Sequence, residues 1–142
     1  MTEFSLSLRV YIEDTDAGGI VYYVNYLKFM ERARTEFMRQ LGYGKTAIFD
    51  DNAMFVVASS KVHYLGSAVL DDELRATATP IKVGRASIVF DQQVKRGAEV
   101  LCKAEVKIAC VNRATRAPQA MPDSMHDKLK SLALTSSIIH ED

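Results

Sequence analysis

The sequence contains little with which to staple itself or to attract a charged polymer. Only two cysteines, Cys102 and Cys110, occur in 142 residues. They lie on one predicted strand, on the same face but too far apart along it to bridge, and are read as small buried apolar residues. A chain of this length has no need of disulfides, because folding buries roughly two thirds of the surface that its unfolded form exposes. One domain over residues 1–142 is therefore expected. Lys plus Arg and Asp plus Glu each number 18, so no global field draws nucleic acid or a membrane surface, and any charged ligand has to be met by local groups. No apolar run approaches the roughly 20 residues that span a bilayer. The opening residues MTEFSLSLRV lack the basic and then apolar pattern of a secretion signal. These absences lead us to expect a soluble cytoplasmic protein with no nucleic-acid partner and no membrane span.

Familiar catalytic signatures are missing too. The chain has no G-x-S-x-G elbow, no P-loop, no G-x-G-x-x-G and no H-E-x-x-H. Its histidines, His63, His126 and His140, are scattered, and none stands at metal-ligand spacing from the others. His63, in the middle of a predicted strand, is read as structural. Neither cysteine has a basic motif beside it that would favour a thiolate. No metal and no separate cofactor is expected.

What the chain does contain is a change of period. Phe4, Leu6, Leu8, Val10 and Ile12 alternate with polar residues and predict a strand over 4–12. From Asn25 onwards Tyr26, Met30, Ala33, Phe37 and Leu41 recur at helical spacing. Leu27, Phe29 and Met38 widen the stripe, and Gly42 follows as a stop signal. Glu31 with Arg34 and Arg32 with Glu36 are spaced to pair on the solvated face. The period then returns to two over 54–64, 73–82, 85–95 and 99–112. The Gly-containing reversals KVGR and KRGAE make the second half an antiparallel meander. Pro118 and Pro122 are expected to end the last strand. Met125, Leu129 and Leu132 suggest a short closing helix, with a frayed tail over 135–142. The resulting fold class is α+β, a five-stranded antiparallel sheet with one long helix laid across it. One helix leaves the opposite sheet face and the edges uncovered, which argues for a homo-oligomer.

The chemically suggestive stretch is the junction Asp14-Thr15-Asp16-Ala17-Gly18-Gly19. It brings carboxylates close to the unpaired N–H groups of a helix start, where the dipole carries about half a positive charge. Two glycines let the backbone pass close to a ligand. On these residues alone, Asp14 or Asp16 either caps the helix or works on a substrate. Asp16 stands seven positions before Tyr23, beyond the reach of a cap unless the helix begins early. A carboxylate beside an anion-stabilising helix terminus suits acyl transfer. A thioester is activated enough to need no triad: the carboxylate activates water or attacks the carbonyl, and backbone N–H groups hold the oxyanion.

The segment VYIEDTDAGGIVYYVNYLKFMERARTEF closely resembles the signature of the 4-hydroxybenzoyl-CoA thioesterase branch of the hotdog fold, in particular its Tol-Pal-associated acyl-CoA thioesterase group. The likeness is densest over 9–37. It continues more weakly through FVVASSKVHYLGSAVLDDEL and ASIVFDQQV to about residue 122. D-x-D-x-x-G-I-V followed by Y-x-N-Y is far more specific than a lone D-x-D. The resemblance implies a sheet wrapped around one long helix, dimers or tetramers, and a site at the subunit interface. It implies Asp16 as general base or nucleophile and the backbone N–H of Tyr23 as the group that polarises the thioester carbonyl. Gly19 takes the glycine of the intervening substrate-binding loop. Arg85 matches one member of a basic cluster for the CoA phosphates, and Lys82 stands near it. CoA enters only as part of the substrate. The implied reaction is hydrolysis of short- to medium-chain acyl-CoA. An aryl-CoA substrate is the alternative, and a non-catalytic binder of acyl carrier protein or of an envelope complex is another. One position departs from the pattern, since the Tol-Pal-associated group commonly has histidine where this chain has Tyr23.

Overall fold

The structure is a computed structural model of the chain, described here over residues 3–43 and 52–140, with side chains to residue 133. Strand β1 (Ser5–Arg9) is followed by a 3₁₀ turn (Ile12–Asp14) and helix α1 (Tyr23–Gln40). Strands β2 (Ala53–Tyr64), β3 (Glu73–Thr77), β4 (Thr79–Val83), β5 (Ser87–Arg96) and β6 (Glu99–Asn112) come next, and helix α2 (Asp123–His140) closes the chain. The strands form one antiparallel sheet in the order β1-β3-β5-β6-β2, with β4 also paired to β5.

The α+β class holds, with differences that have physical causes. The single strand expected over 73–82 is two, because the chain bends at Ala78. β3 pairs Ala76 with Val94, and β4 resumes along the same strand with Thr79 opposite Asp91. Pro80, which has no N–H to donate, sits at the register shift before Lys82. The sheet therefore has six strands rather than five. β1 stops at Arg9 and not at residue 12, because Asp14 N–H bonds to Tyr11 O at 2.9 Å and starts a turn. That turn leaves Ile12 exposed. The expected meander is also incomplete: β4, β5 and β6 are joined by hairpins, but β2 pairs with β6 at the sheet edge and not with β3. β6 ends at Asn112, ahead of both prolines, where the Asn112 side chain accepts from Ala114 N–H and Thr115 N–H.

One face of the sheet carries the core. Phe29, Met30, Ala33 and Phe37 of α1 are buried, as are the alternate residues Ile88, Phe90, Gln92 and Val94 of β5. The Phe37 ring meets Phe90 edge-on at 5.6 Å and Phe4 at 5.7 Å. Both cysteines are fully buried, and neither is in a disulfide. α2 is not short, since it runs for 18 residues to His140. Its Met125 and Leu129 join the core, while Ser124 bonds Tyr43 and Lys128 reaches Leu41 O beyond the end of α1. Two helices therefore share the inner face. The outer face presents exposed Lys61, His63, Lys103, Glu105 and Lys107. It is solvated by charge, and among the described residues the sheet ends at β1 on one side and at β2 on the other.

The charge pairs expected along α1 are not formed. Glu36 pairs with Arg39 at 3.1 Å, and Arg34 turns inward. There its Nη1 donates to Oε1 of the fully buried Gln92 at 2.8 Å, and Gln92 Nε2 donates to Met30 O and Thr77 O. Burial pulls the Arg34 pKa below its ordinary value, partly offset by Glu31. Among the described residues no helix is long and apolar enough to cross a membrane.

Candidate active site

The junction singled out in the sequence is a short hairpin that runs straight into α1. Thr15 bridges Val21, Asp16 N–H bonds to Ile20 O at 2.9 Å, and Gly19 N–H bonds back to Asp16 O at 3.0 Å. Gly19 closes this turn at φ +83°, a left-handed conformation that favours glycine. The hairpin is tethered to the 65–72 connection by the Ile20–Val69 bridge and by Val21 N–H on Ala68 O. That connection is itself fastened: Tyr26 Oη accepts from Ala68 N–H at 2.9 Å, and Arg96 bonds Asp72 at 2.7 Å and Ser67 O at 3.2 Å. The Val69 N–H, with the Arg96 guanidinium, holds the Asp72 carboxyl below the usual carboxylate range.

The two carboxylates of D-x-D occupy opposite environments. Asp14 is buried, and both its side-chain oxygens are engaged: Oδ2 accepts from Tyr11 N–H at 2.9 Å and Oδ1 from Asn25 Nδ2 at 2.8 Å. Asp16 is exposed at the hairpin tip. Its Oδ1 accepts from Gly18 N–H at 2.8 Å, and its Oδ2 has no protein partner among the described residues. Asp16 is therefore not a cap of α1, and the helix begins at Tyr23, two residues before the apolar period shows it. The N-cap is Tyr22, which contributes no side-chain bond. Tyr22 N–H bonds to Asp14 O and Asn25 N–H bonds to Tyr22 O, leaving the N–H groups of Tyr23 and Val24 without a protein acceptor among the described residues. Two free donors at the positive end of an 18-residue helix can hold a developing oxyanion.

An aromatic cluster that the sequence reading missed lies beside this helix start. Tyr23 is 56% exposed, and its ring sits 4.9 Å from that of Tyr22 and 5.8 Å from that of Tyr64, whose ring is 6.0 Å from Tyr26. Burial pushes the Tyr64 and Tyr26 phenols up. Tyr64 ends β2, forty-one positions from Tyr23, so no local spacing marks it.

Lys82 and Arg85 are not brought to Asp16. They flank the β4–β5 reversal, where Arg85 lines a cleft of about 460 Å³ with His126, Lys130, Asp123 and Asp127. The length of β5 intervenes: its Ser87 end lies at this reversal and its Arg96 end grips the connection behind the Asp16 hairpin. Ten strand residues at about 3.3 Å each span about 30 Å.

The chain is similar to several known proteins. The family model of the thioesterase-like superfamily matches residues 10–129. The chain is 42% identical over 120 residues to the acyl-CoA thioesterase YbgC of Haemophilus influenzae, covering 84% of this chain and 88% of that protein. It is 38% identical over 130 residues to the acyl-CoA thioester hydrolase YbgC of Escherichia coli O6:H1, covering 91% of this chain and 97% of the other. Among solved structures, a probable thioesterase from Bartonella henselae superposes with a TM-score of 0.79 at 29% identity, over 85% of this chain and all of that one.

Proposed function

This chain belongs to the thioesterase-like superfamily, with its hotdog fold, and from that premise we propose that it hydrolyses acyl-CoA thioesters to the free acid and CoA. The observation that carries the proposal is the pairing of an exposed Asp16, with one carboxylate oxygen uncommitted, and a helix start whose Tyr23 and Val24 N–H groups lack acceptors among the described residues. The substrate carbonyl oxygen accepts from Tyr23 N–H. Asp16 then either takes a proton from water as the water attacks the carbonyl carbon, or attacks that carbon itself to form an anhydride that water cleaves. In both routes the oxyanion collapses, the C–S bond breaks, and the CoA thiolate leaves and is protonated. The two YbgC relatives, named as acyl-CoA hydrolases, support this substrate. Short- to medium-chain acyl groups are our first reading of the acid. The exposed rings of Tyr22, Tyr23 and Tyr64 favour an aryl-CoA as the second.

The binding of CoA requires a second copy in this reading. Among the described strands, twelve-residue β2 pairs with β6 alone, and it exposes Val57 and Tyr64. Two copies joined antiparallel along β2 place the Ala53 end of one strand beside the Tyr64 end of the other. Arg85 belongs to the Ala53 end, because Ala86 O accepts from Cys110 N–H and Cys110 pairs with Phe55. Lys82 and Arg85 of one copy thereby approach Asp16 of the other, where they meet the CoA phosphates, while Gly19 shapes the loop. A homo-oligomer, dimer or tetramer, is thus part of the proposal, as is a place in the cytoplasm. Acyl carrier protein presents the same pantetheine thioester and is the second donor to try.

The test is release of CoA, followed with a thiol reagent, from a panel running from acetyl- to dodecanoyl-CoA with 4-hydroxybenzoyl-CoA beside it. Turnover of at least one ester by the wild type, abolished in Asp16→Asn, is expected. A folded wild type that binds these esters without cleaving any would leave only the binding role.

A further inference from the structure

We infer that Asp14, the buried partner of Asp16, is a positioning residue that anchors the start of α1 without occupying the N–H groups that catalysis requires. The inference rests on the reading of Tyr23 N–H as the oxyanion donor.

An ordinary N-cap places a side-chain oxygen on the N–H of the second or third helical residue, which satisfies the helix by using up its free donors. That solution is not used at this helix start. Tyr22 supplies no capping side chain, and the anchoring comes from eleven residues upstream. Asp14 receives three donors: Tyr11 N–H on Oδ2, the Asn25 side-chain amide on Oδ1, and Tyr22 N–H on its backbone oxygen. Two of the three come from the start of α1 and its N-cap, and neither is an N–H of the first two helical residues. The Asn25 amide substitutes for the backbone donors, so the helix is held while Tyr23 N–H and Val24 N–H stay open. Burial gives the arrangement its rigidity, since Asp14 is 6% and Asn25 7% exposed and water does not compete freely for either group. The bond to Tyr11 fixes the other side of the clamp at the end of the β1 segment. Asp14 therefore sets where the hairpin leaves the sheet and where the helix begins, and Asp16 and Tyr23 lie between those two anchors and Asn25.

Asp14→Asn keeps the shape but offers one oxygen where two are used, so Tyr11 N–H or the Asn25 amide loses its acceptor. With Asp16 and the CoA contacts untouched, the expected result is a fall in kcat of about tenfold to a hundredfold, with KM for the acyl-CoA within about twofold of wild type. Asn25→Ala, which opens the clamp from the helix side, should give the same split. The exchange Asp14→Asn with Asn25→Asp restores both bonds, because Asn at 14 accepts from Tyr11 N–H and donates to Asp at 25. It should regain most of kcat. Rates are expressed per folded molecule, with the folded fraction read from circular dichroism. A lowered melting point with kcat unchanged overturns the positioning role and leaves a structural brace. The positioning role also fails if the exchange restores the melting point but not kcat. Asp16→Asn, measured alongside, separates the two claims: if it stays active, the assignment of the reaction fails whatever Asp14 does.

Discussion

The two ends of β5 treat their polar groups differently. At the Ser87 end, Met121 N–H bonds to Arg85 O, Ser124 bonds Tyr43, and Lys128 reaches Leu41 O while lying 5.2 Å from the Tyr43 ring. Those contacts close a core, and α2 supplies many of them. At the Arg96 end the scaffold is equally well fastened, through Arg96, Asp72, Ser67 and Tyr26, yet Asp16 Oδ2 and the N–H groups of Tyr23 and Val24 are left open among the described residues. Unpaired donors are costly when buried and useful when they face a site where charge develops. An uncommitted carboxylate oxygen beside two open helix-start donors marks the Arg96 end as the one where the reacting group of a ligand belongs. The ligand's handle, Arg85, nevertheless sits at the first end.

Substitutions can break this contrast, with the largest effect expected at Asp16. Asp16→Asn keeps the hairpin, since the side-chain oxygen can still accept from Gly18 N–H, but removes the base or nucleophile; kcat should fall by about a hundredfold to ten-thousandfold with the melting point little changed. Tyr23→Pro deletes one donor at the first helical position, where proline is tolerated, and should cost about a hundredfold to a thousandfold in kcat. Tyr23→Phe and Tyr23→Ala retain the N–H and should stay active; loss in the Phe variant alone would assign the work to the phenol. At the far end, Arg85→Ala should raise KM about tenfold and leave kcat within about twofold, as removal of one charged contact to a phosphate requires. The smallest effect belongs to Cys102, whose thiol burial pushes up to about 11. The native protein should therefore not react with the thiol reagent near pH 8, where thiolate is scarce, and should react only once unfolded. Rapid labelling of the native enzyme would show that the core at Cys102 opens.

How much of this was legible in the sequence depends on the range of the interaction. The strands β2, β5 and β6, the apolar stripe of α1 and burial of both cysteines followed from local period, which records which face meets the core. Asp16 and Tyr23 stood out because their motif is contiguous. The break at Ala78, the place of β2 beside β6 and the length of α2 depend on contacts distant in sequence and left no local mark. Arg34 is instructive: its spacing from Glu31 fits a surface pair, but a buried glutamine on β5 offers it a better acceptor. Tyr64 joins the site only through tertiary folding. Spacing alone did not separate Asp14 from Asp16, and only the motif resemblance picked out Asp16, because the physical difference between them is burial, set here by where a 3₁₀ turn interrupts the strand.

The claim that a second copy joins the two ends into one site is tested most directly by subunit exchange between Asp16→Asn and Arg85→Ala proteins, assayed at low acyl-CoA where each parent is poorly active. With random pairing about half the dimers are mixed, each with one intact site, so turnover should recover to about a quarter of wild type. Turnover that stays at the average of the two parents would contradict a site shared between copies.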